Sequence, residues 1–171
     1  MAQLTAVLSG RIYRALATWP DLGGWLWCAG VAAATLATMG VVGFAGGLYV
    51  LHPTLTHGLA ARLVTVMVIP AFGEELPFRG LLVPGREESR SPWLGLAIAT
   101  PIFTLWHVLE AKTWLPSAAE MFTRPDFLAC AAILGLGCGL ARWRTGSLWP
   151  AVGLHWLAVT IWQTWLGGFT L

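Results

Sequence analysis

Glu74, Glu75 and Arg79 place two carboxylates and a guanidinium within GEELPFRG, residues 73–80, at the end of a long apolar stretch. A charge at bilayer depth costs about 2.5–3.5 kcal/mol on insertion scales, so three together mark a site that faces protein interior or a water-filled cavity. If this segment is helical, Glu75 and Arg79 stand four apart on one face, in the favourable acid-before-base order. Glu74 is turned away from Glu75 by about 100°. Arg79 then neutralises Glu75 and leaves Glu74 to face a cavity as a general base or acid. The alternative for all three is a buried ion network that holds helices together. Pro77 cannot donate to the carbonyl of Gly73, which predicts a kink or a bound water at this point.

Two more polar residues interrupt apolar runs. His107 lies in IFTLWHVL, with Phe103 four residues earlier on the same helical face, where its ring can pack on the imidazole. His155 lies in SLWPAVGLHWLAV. Either histidine alone reads as a hydrogen-bonded core residue. The chain has only 4 histidines, however, and the two within apolar spans accompany the one buried acidic pair, which points to a shared site. At about 1.5 Å per residue, Glu74 and His155 fall on one side of their span centres and His107 on the other. Convergence therefore requires helix tilt or a kink at Pro101.

The elements that must hold these residues are membrane helices. The chain is 57% hydrophobic and 11% charged, against about 25% charged for an ordinary soluble domain. No Asp, Glu, Lys or Arg occurs in 22–61, 91–109, 127–141 or 145–171. A spanning helix needs about 20 mainly apolar residues. The fold expected is an all-α, polytopic transmembrane helical bundle forming a single domain over 1–171. Five spans are expected, at 25–49, 59–83, 92–112, 127–142 and 147–168, the fourth being short. Arg11, Arg14, Arg86, Arg90, Arg142 and Arg144 fall on one side, and Arg62, Lys112 and Arg124 on the other. That asymmetry predicts an N-in, C-out orientation. Most of the 11 tryptophans fall near span ends, as an interfacial belt requires, and only Trp106 and Trp156 lie deeper, each beside a histidine.

Residues 1–20 are moderately amphipathic, and the segment 1–24 is expected to lie at the membrane surface. Cys28, Cys130 and Cys138 read as small buried apolar side chains. Gly40, Gly43, Gly46 and Gly47 in the first span read as a helix-packing feature. His52-Pro53 to His57 forms a short polar loop, and Ala111 to Asp126, with Pro116 and Pro125, lies outside the bilayer. Ser147 can cap the last helix, with Pro150 tolerated in its first turn.

In this order, the three polar stations resemble the CPBP family of intramembrane proteases, which includes type II CAAX prenyl endopeptidases and bacteriocin-processing, Abi-like proteins. The family's EExxxR is matched by Glu74-Glu75-Leu76-Pro77-Phe78-Arg79 followed by Gly80, and FxxxH by Phe103 to His107. The third motif, His followed four residues on by Asn or Asp, is matched by His155 but departs at Val159. The Ser147-Leu148-Trp149-Pro150 lead-in is also similar, and the resemblance covers about 60–160. It implies an endopeptidase in which Glu74 activates water with help from His107, while His155 stabilises the oxyanion. Glu75, Arg79 and Phe103 would support them. Loss of the carboxamide donor at Val159 is expected to cost about 100- to 1000-fold in rate.

The mechanism favoured is metal-free and of the glutamic type, with no cofactor. The alternative is zinc held by Glu74, His107 and His155. The expected partners are the lipid bilayer and a membrane-associated protein or peptide cut near its C-terminal end, with no nucleic acid. The compact chain is more similar to the bacterial relatives, which implies the bacterial cytoplasmic (inner) membrane. Two other readings stay open: a non-catalytic binding or immunity relative, and a small transporter or proton-relay subunit.

Overall fold

The computed structural model describes residues 2–54 and 58–168, and these form helices joined by short loops, with no strand among the described residues. Helix α1 is Ala2–Ala17. Helix α2, Leu22–Gly46, starts at Asp21, whose Oδ1 accepts from the Gly24 N–H at 2.7 Å. It stops at Gly47, where φ of 76° needs a residue without a Cβ. Helix α3 covers 59–81 and alternates between α and π geometry: α over Leu59–Val66, π over Met67–Phe72, α over Gly73–Glu75 and π over Leu76–Leu81. Helix α4 is Trp93–Thr113, continuous through Pro101. A 3₁₀ turn, Pro116–Ala118, leads into the short α5, Ala119–Phe122. Helix α6, Pro125–Thr145, begins on a proline and ends at Gly146, with φ of 69°. Helix α7 is Trp149–Trp165.

Helices α2, α4 and α6 are long and apolar enough to cross a membrane. The five expected spans correspond in order to α2, α3, α4, α6 and α7, with shifted ends. The first begins three residues earlier than expected, at Leu22, because Asp21 caps it. The fourth is not short: α6 has 21 residues, since Arg142 and Arg144 belong to its last turn instead of to a loop.

Helix α6 is the hub, packed against α2, α4 and α7. Three of its glycines each receive a neighbour. Gly137 lies under Thr35 of α2, Gly139 under Leu96 of α4, and Gly135 under Arg79 and Phe103. Small residues at such contacts let backbones approach closely, which favours helix association in lipid. The α2 glycines do this only in part. Gly43 accommodates the Tyr49 ring and Gly46 meets Asp126, whereas Gly40 has no neighbour and Gly47 ends the helix.

The amphipathic N-terminal segment does not simply lie on a surface. Ala15 is fully buried, its carbonyl accepts from the Leu148 N–H at 2.8 Å, and the Leu16 carbonyl accepts from Trp149 Nε1 at 3.0 Å. Arg11 Nη1 donates to the Leu81 carbonyl at 2.8 Å. Helix α1 thus supplies partners for groups that the end of α3 and the start of α7 leave unpaired. The N-cap of α7 is Leu148 and not Ser147, whose Oγ still accepts from the Trp149 N–H at 3.3 Å. At the other end, His52 and Thr54 donate backbone N–H groups to the carbonyls of Trp165 and Thr164. The remainder of the polar loop, including His57, lies outside the described residues. Cys28, Cys130 and Cys138 are free and buried.

Candidate active site

The Gly73–Glu75 turn owes its placement to two prolines. Pro70 and Pro77 lack the N–H that a regular α-helix needs, and each sits in a π-helical stretch. The N–H of Gly73 reaches back five residues to the Val68 carbonyl. Pro77 likewise lies in a wider turn, Leu76–Leu81. Such π turns re-aim side chains and recur at functional sites.

Within this frame Glu75 and Arg79 are both 0% exposed, and Arg79 Nη1 donates to Glu75 Oε1 at 3.0 Å. The same Oε1 accepts from His155 Nδ1 at 2.8 Å. The Arg79 guanidinium carbon lies 4.0 Å from the centroid of Phe103, a cation–π contact. The Phe103 ring also meets both imidazoles edge-on, with centroid distances of 5.0 Å to His107 and 5.9 Å to His155. Phe103 is therefore the central apolar wall. Gly135 makes room for it, because a Cβ there would stand 2.9 Å from Arg79 Nη2 and 3.3 Å from the Phe103 ring.

Glu74 points the other way, into a cavity of about 130 Å³. His107, His155 and Val159 line the same cavity, beside an apolar wall that includes Met39, Ile69 and Leu134. Glu74 Oε2 is buried without a hydrogen-bond partner among the described residues. It stands 4.0 Å from His107 Nε2 and 3.9 Å from His155 Nε2. His107 Nδ1 pairs with the Phe103 carbonyl at 3.1 Å, which makes Nδ1 the donor and turns Nε2 to the cavity. The structure thus gathers Glu74, His107 and His155, with Glu75, Arg79 and Phe103 behind them. The depth count that set His107 apart assumed regular α-helices, and α3 is not one.

Two cavity-lining residues were missed in the sequence. Glu110 follows His107 by three residues and lies one helical turn on, so His107-x-x-Glu110 was the available signal. Gln163 lies one turn beyond Val159 and is the one carboxamide among the described lining residues. Val159 occupies the expected position in the wall but has no polar atom to offer.

The donor set also differs from the expected zinc trio. Ligand atoms of Glu74, His107 and Glu110 all lie within 4.8 Å of one another, and His155 is not in that group. His155 is committed through Nδ1 to Glu75, and its Nε2 stands 3.9 Å from Glu74 Oε2. Two carboxylates and an imidazole suit zinc chemically, and the second nitrogen of His107 is already fixed by a carbonyl, as metal-bound histidines usually are. Closing the trio onto one ion would shorten its donor separations to about 3.3 Å, given metal–ligand bonds of about 2.0–2.1 Å.

A family model described as Type II CAAX prenyl endopeptidase Rce1-like matches residues 56–161. The chain belongs to that family. The matched stretch is more than half of the chain and contains Glu74, Glu75, Arg79, Phe103, His107, Glu110, His155 and Val159, while Gln163 lies just beyond its end. No curated protein and no solved structure matches the chain. Membership and the apolar helices together identify an integral membrane protein of a peptidase family, as the three motifs implied.

Proposed function

We propose that the chain is an intramembrane endopeptidase in which Glu74 draws the proton from an attacking water. The observation that carries this reading is the position of Glu74 Oε2, 4.0 Å and 3.9 Å from two imidazole nitrogens. Separations beyond direct hydrogen-bond reach are those that one bridging water spans. The water oxygen adds to the scissile carbonyl carbon as its proton passes to Glu74. His107 Nε2 orients that water. The negative charge moves to the carbonyl oxygen, and His155 Nε2, protonated, donates to it. Glu74 then returns the proton to the leaving nitrogen as the carbon–nitrogen bond breaks.

Glu75 acts through His155. Its carboxylate fixes the ring at Nδ1 and balances the imidazolium, and Arg79 holds Glu75 in turn. The apolar wall fits a hydrophobic or lipid-modified segment, so the substrate class is a membrane-associated protein or peptide cut near its C-terminal end. The proposed setting is a bacterial cytoplasmic membrane with the arginine-rich end inside.

The Glu74, His107 and Glu110 cluster favours a second reading, in which these three hold zinc. The ion would supply Lewis acidity towards water and the carbonyl. The two readings separate on one assay: purified protein in detergent, a membrane-anchored peptide, and chelator present or absent. Cleavage that persists with chelator supports the metal-free mechanism. Chelator-sensitive cleavage restored by zinc supports the second. No cleavage of any peptide in a C-terminal series, with or without zinc, would leave a non-catalytic relative.

A further inference from the structure

We propose that the arginine-rich end of the bundle holds a binding site for a phosphate group, supplied by the headgroup of an anionic membrane lipid. A cleft of about 370 Å³ opens there between α1, the loop at 82–92 and the last turn of α6. Its lining includes Arg14, Arg86, Arg142 and Arg144 against Glu87 and Glu88, four positive charges and two negative.

Arg142 is the decisive residue. It is 1% exposed, and none of Nε, Nη1 and Nη2 has a hydrogen-bond partner among the described residues. A guanidinium carries five N–H donors, and leaving them unpaired in a buried place is costly. Its Nη1 reaches the cleft wall, where a Cβ on Gly85 would meet it at 3.1 Å. Among the described residues the one carboxylate in range is Glu88, whose Oε1 stands 3.9 Å from Nη2. Glu88 is already occupied. Its Oε2 is held by Arg11 Nε at 2.8 Å and by Arg14 Nη2 at 3.4 Å, and its Oε1 faces the Gly85 N–H at 3.4 Å. The cleft therefore has more donors than acceptors, and a tetrahedral oxyanion supplies acceptors in the geometry that guanidinium forks match.

Its level in the bilayer names the source. Trp143 forms part of the same end, donating through Nε1 to the Ser89 carbonyl at 2.9 Å. Trp19 and Trp93 are exposed nearby in sequence to the α1 and α4 ends. Exposed tryptophans mark headgroup depth, and basic pockets between membrane helices bind acidic headgroups. This site is independent of the cleavage chemistry.

Native mass spectrometry of the detergent-purified chain tests it, with phosphatidylglycerol and phosphatidylcholine added separately and inorganic phosphate as competitor. Wild type is expected to retain one phosphatidylglycerol and to release phosphatidylcholine. Arg142→Gln should weaken retention by about tenfold or more, as loss of a charge-assisted contact does. Arg144→Gln at the exposed rim should weaken it less, and this variant keeps the test open if Arg142→Gln fails to fold. Arg90→Gln, outside the cleft, should retain the lipid as wild type does. Retention that survives excess inorganic phosphate supports the lipid source. Displacement by phosphate with no preference between the two lipids overturns that source and leaves a soluble phosphate. Equal retention by Arg142→Gln, Arg144→Gln and wild type overturns the site.

Discussion

Arg79 and Arg142 are both almost completely buried in the same small bundle, yet their surroundings differ. Arg79 has a carboxylate at 3.0 Å and an aromatic face at 4.0 Å, and its carboxylate partner is shared with an imidazole. Arg142 has one carboxylate at 3.9 Å, itself held by two other arginines, and no side-chain hydrogen bond among the described residues. Arg79 Nε and Nη2 also lack hydrogen-bond partners among the described residues, but its charge is neutralised by the chain's own Glu75, so the pair can fix a neighbouring group. The second has no carboxylate within hydrogen-bond reach and lines an open cleft, the condition in which an external anion gains most. A buried arginine is thus read by what its partners leave undone, and not by its burial alone.

The comparison breaks most sharply on removal of each guanidinium. Arg79→Met strands the Glu75 carboxylate and should destabilise the fold by about 3–5 kcal/mol. Arg142→Met strands no dedicated partner and should cost much less. Thermal unfolding of the two variants in one detergent, followed by tryptophan fluorescence, measures the difference. Equal losses would remove the distinction.

Next in size is His155→Ala, which takes away the group that Glu75 and Arg79 position. Its cleavage rate should fall by about 100- to 1000-fold, as for loss of an oxyanion donor. Smaller again is a gain: Val159→Asn places a carboxamide in the cavity wall one turn after His155 and should raise turnover by about tenfold or more. No change in rate would show that Gln163 or a backbone group already fills that role.

The smallest effect belongs to the arginine-rich end. Partial burial alone would raise the Glu88 carboxyl, but the hydrogen bond and charge of Arg11, the Gly85 N–H and Arg14 outweigh it and hold it below the ordinary value of 4.5. A carboxyl lowered in the folded state contributes stability that is fully present above its unfolded value and is lost as pH falls through its folded one. The contribution should stay below about 1 kcal/mol, because the pair is partly solvated. Melting of wild type and Glu88→Gln between neutral pH and pH well below 4.5 should converge at the acidic end.

The pairing of Glu75 with Arg79 and the outward turn of Glu74 were legible in the sequence because they depend only on spacing along one helix. The bond from His155 to Glu75 was not, since it depends on how α7 registers against α3. That register depends on two π turns, which leave no apolar period to read, and on the docking of α1, whose amphipathic pattern does not say what it packs against. Glu110 was hidden for a related reason: its spacing from His107 was visible, but its approach to Glu74 was not. Arg142 was counted as one of six positive charges at a membrane face. Nothing local distinguished it from Arg144 two residues on, which is exposed. The seam glycines of α6 were overlooked beside the denser glycines of α2, because crowding at a glycine is a property of its neighbour.

The central claim is that Glu74 is the base. The most direct measurement is the single-turnover rate of cleavage of a membrane-anchored peptide by wild type and by Glu74→Gln, both in detergent with chelator present. Wild type should cut, and Glu74→Gln should be slower by about 100- to 10,000-fold. Equal rates for the two proteins would contradict it.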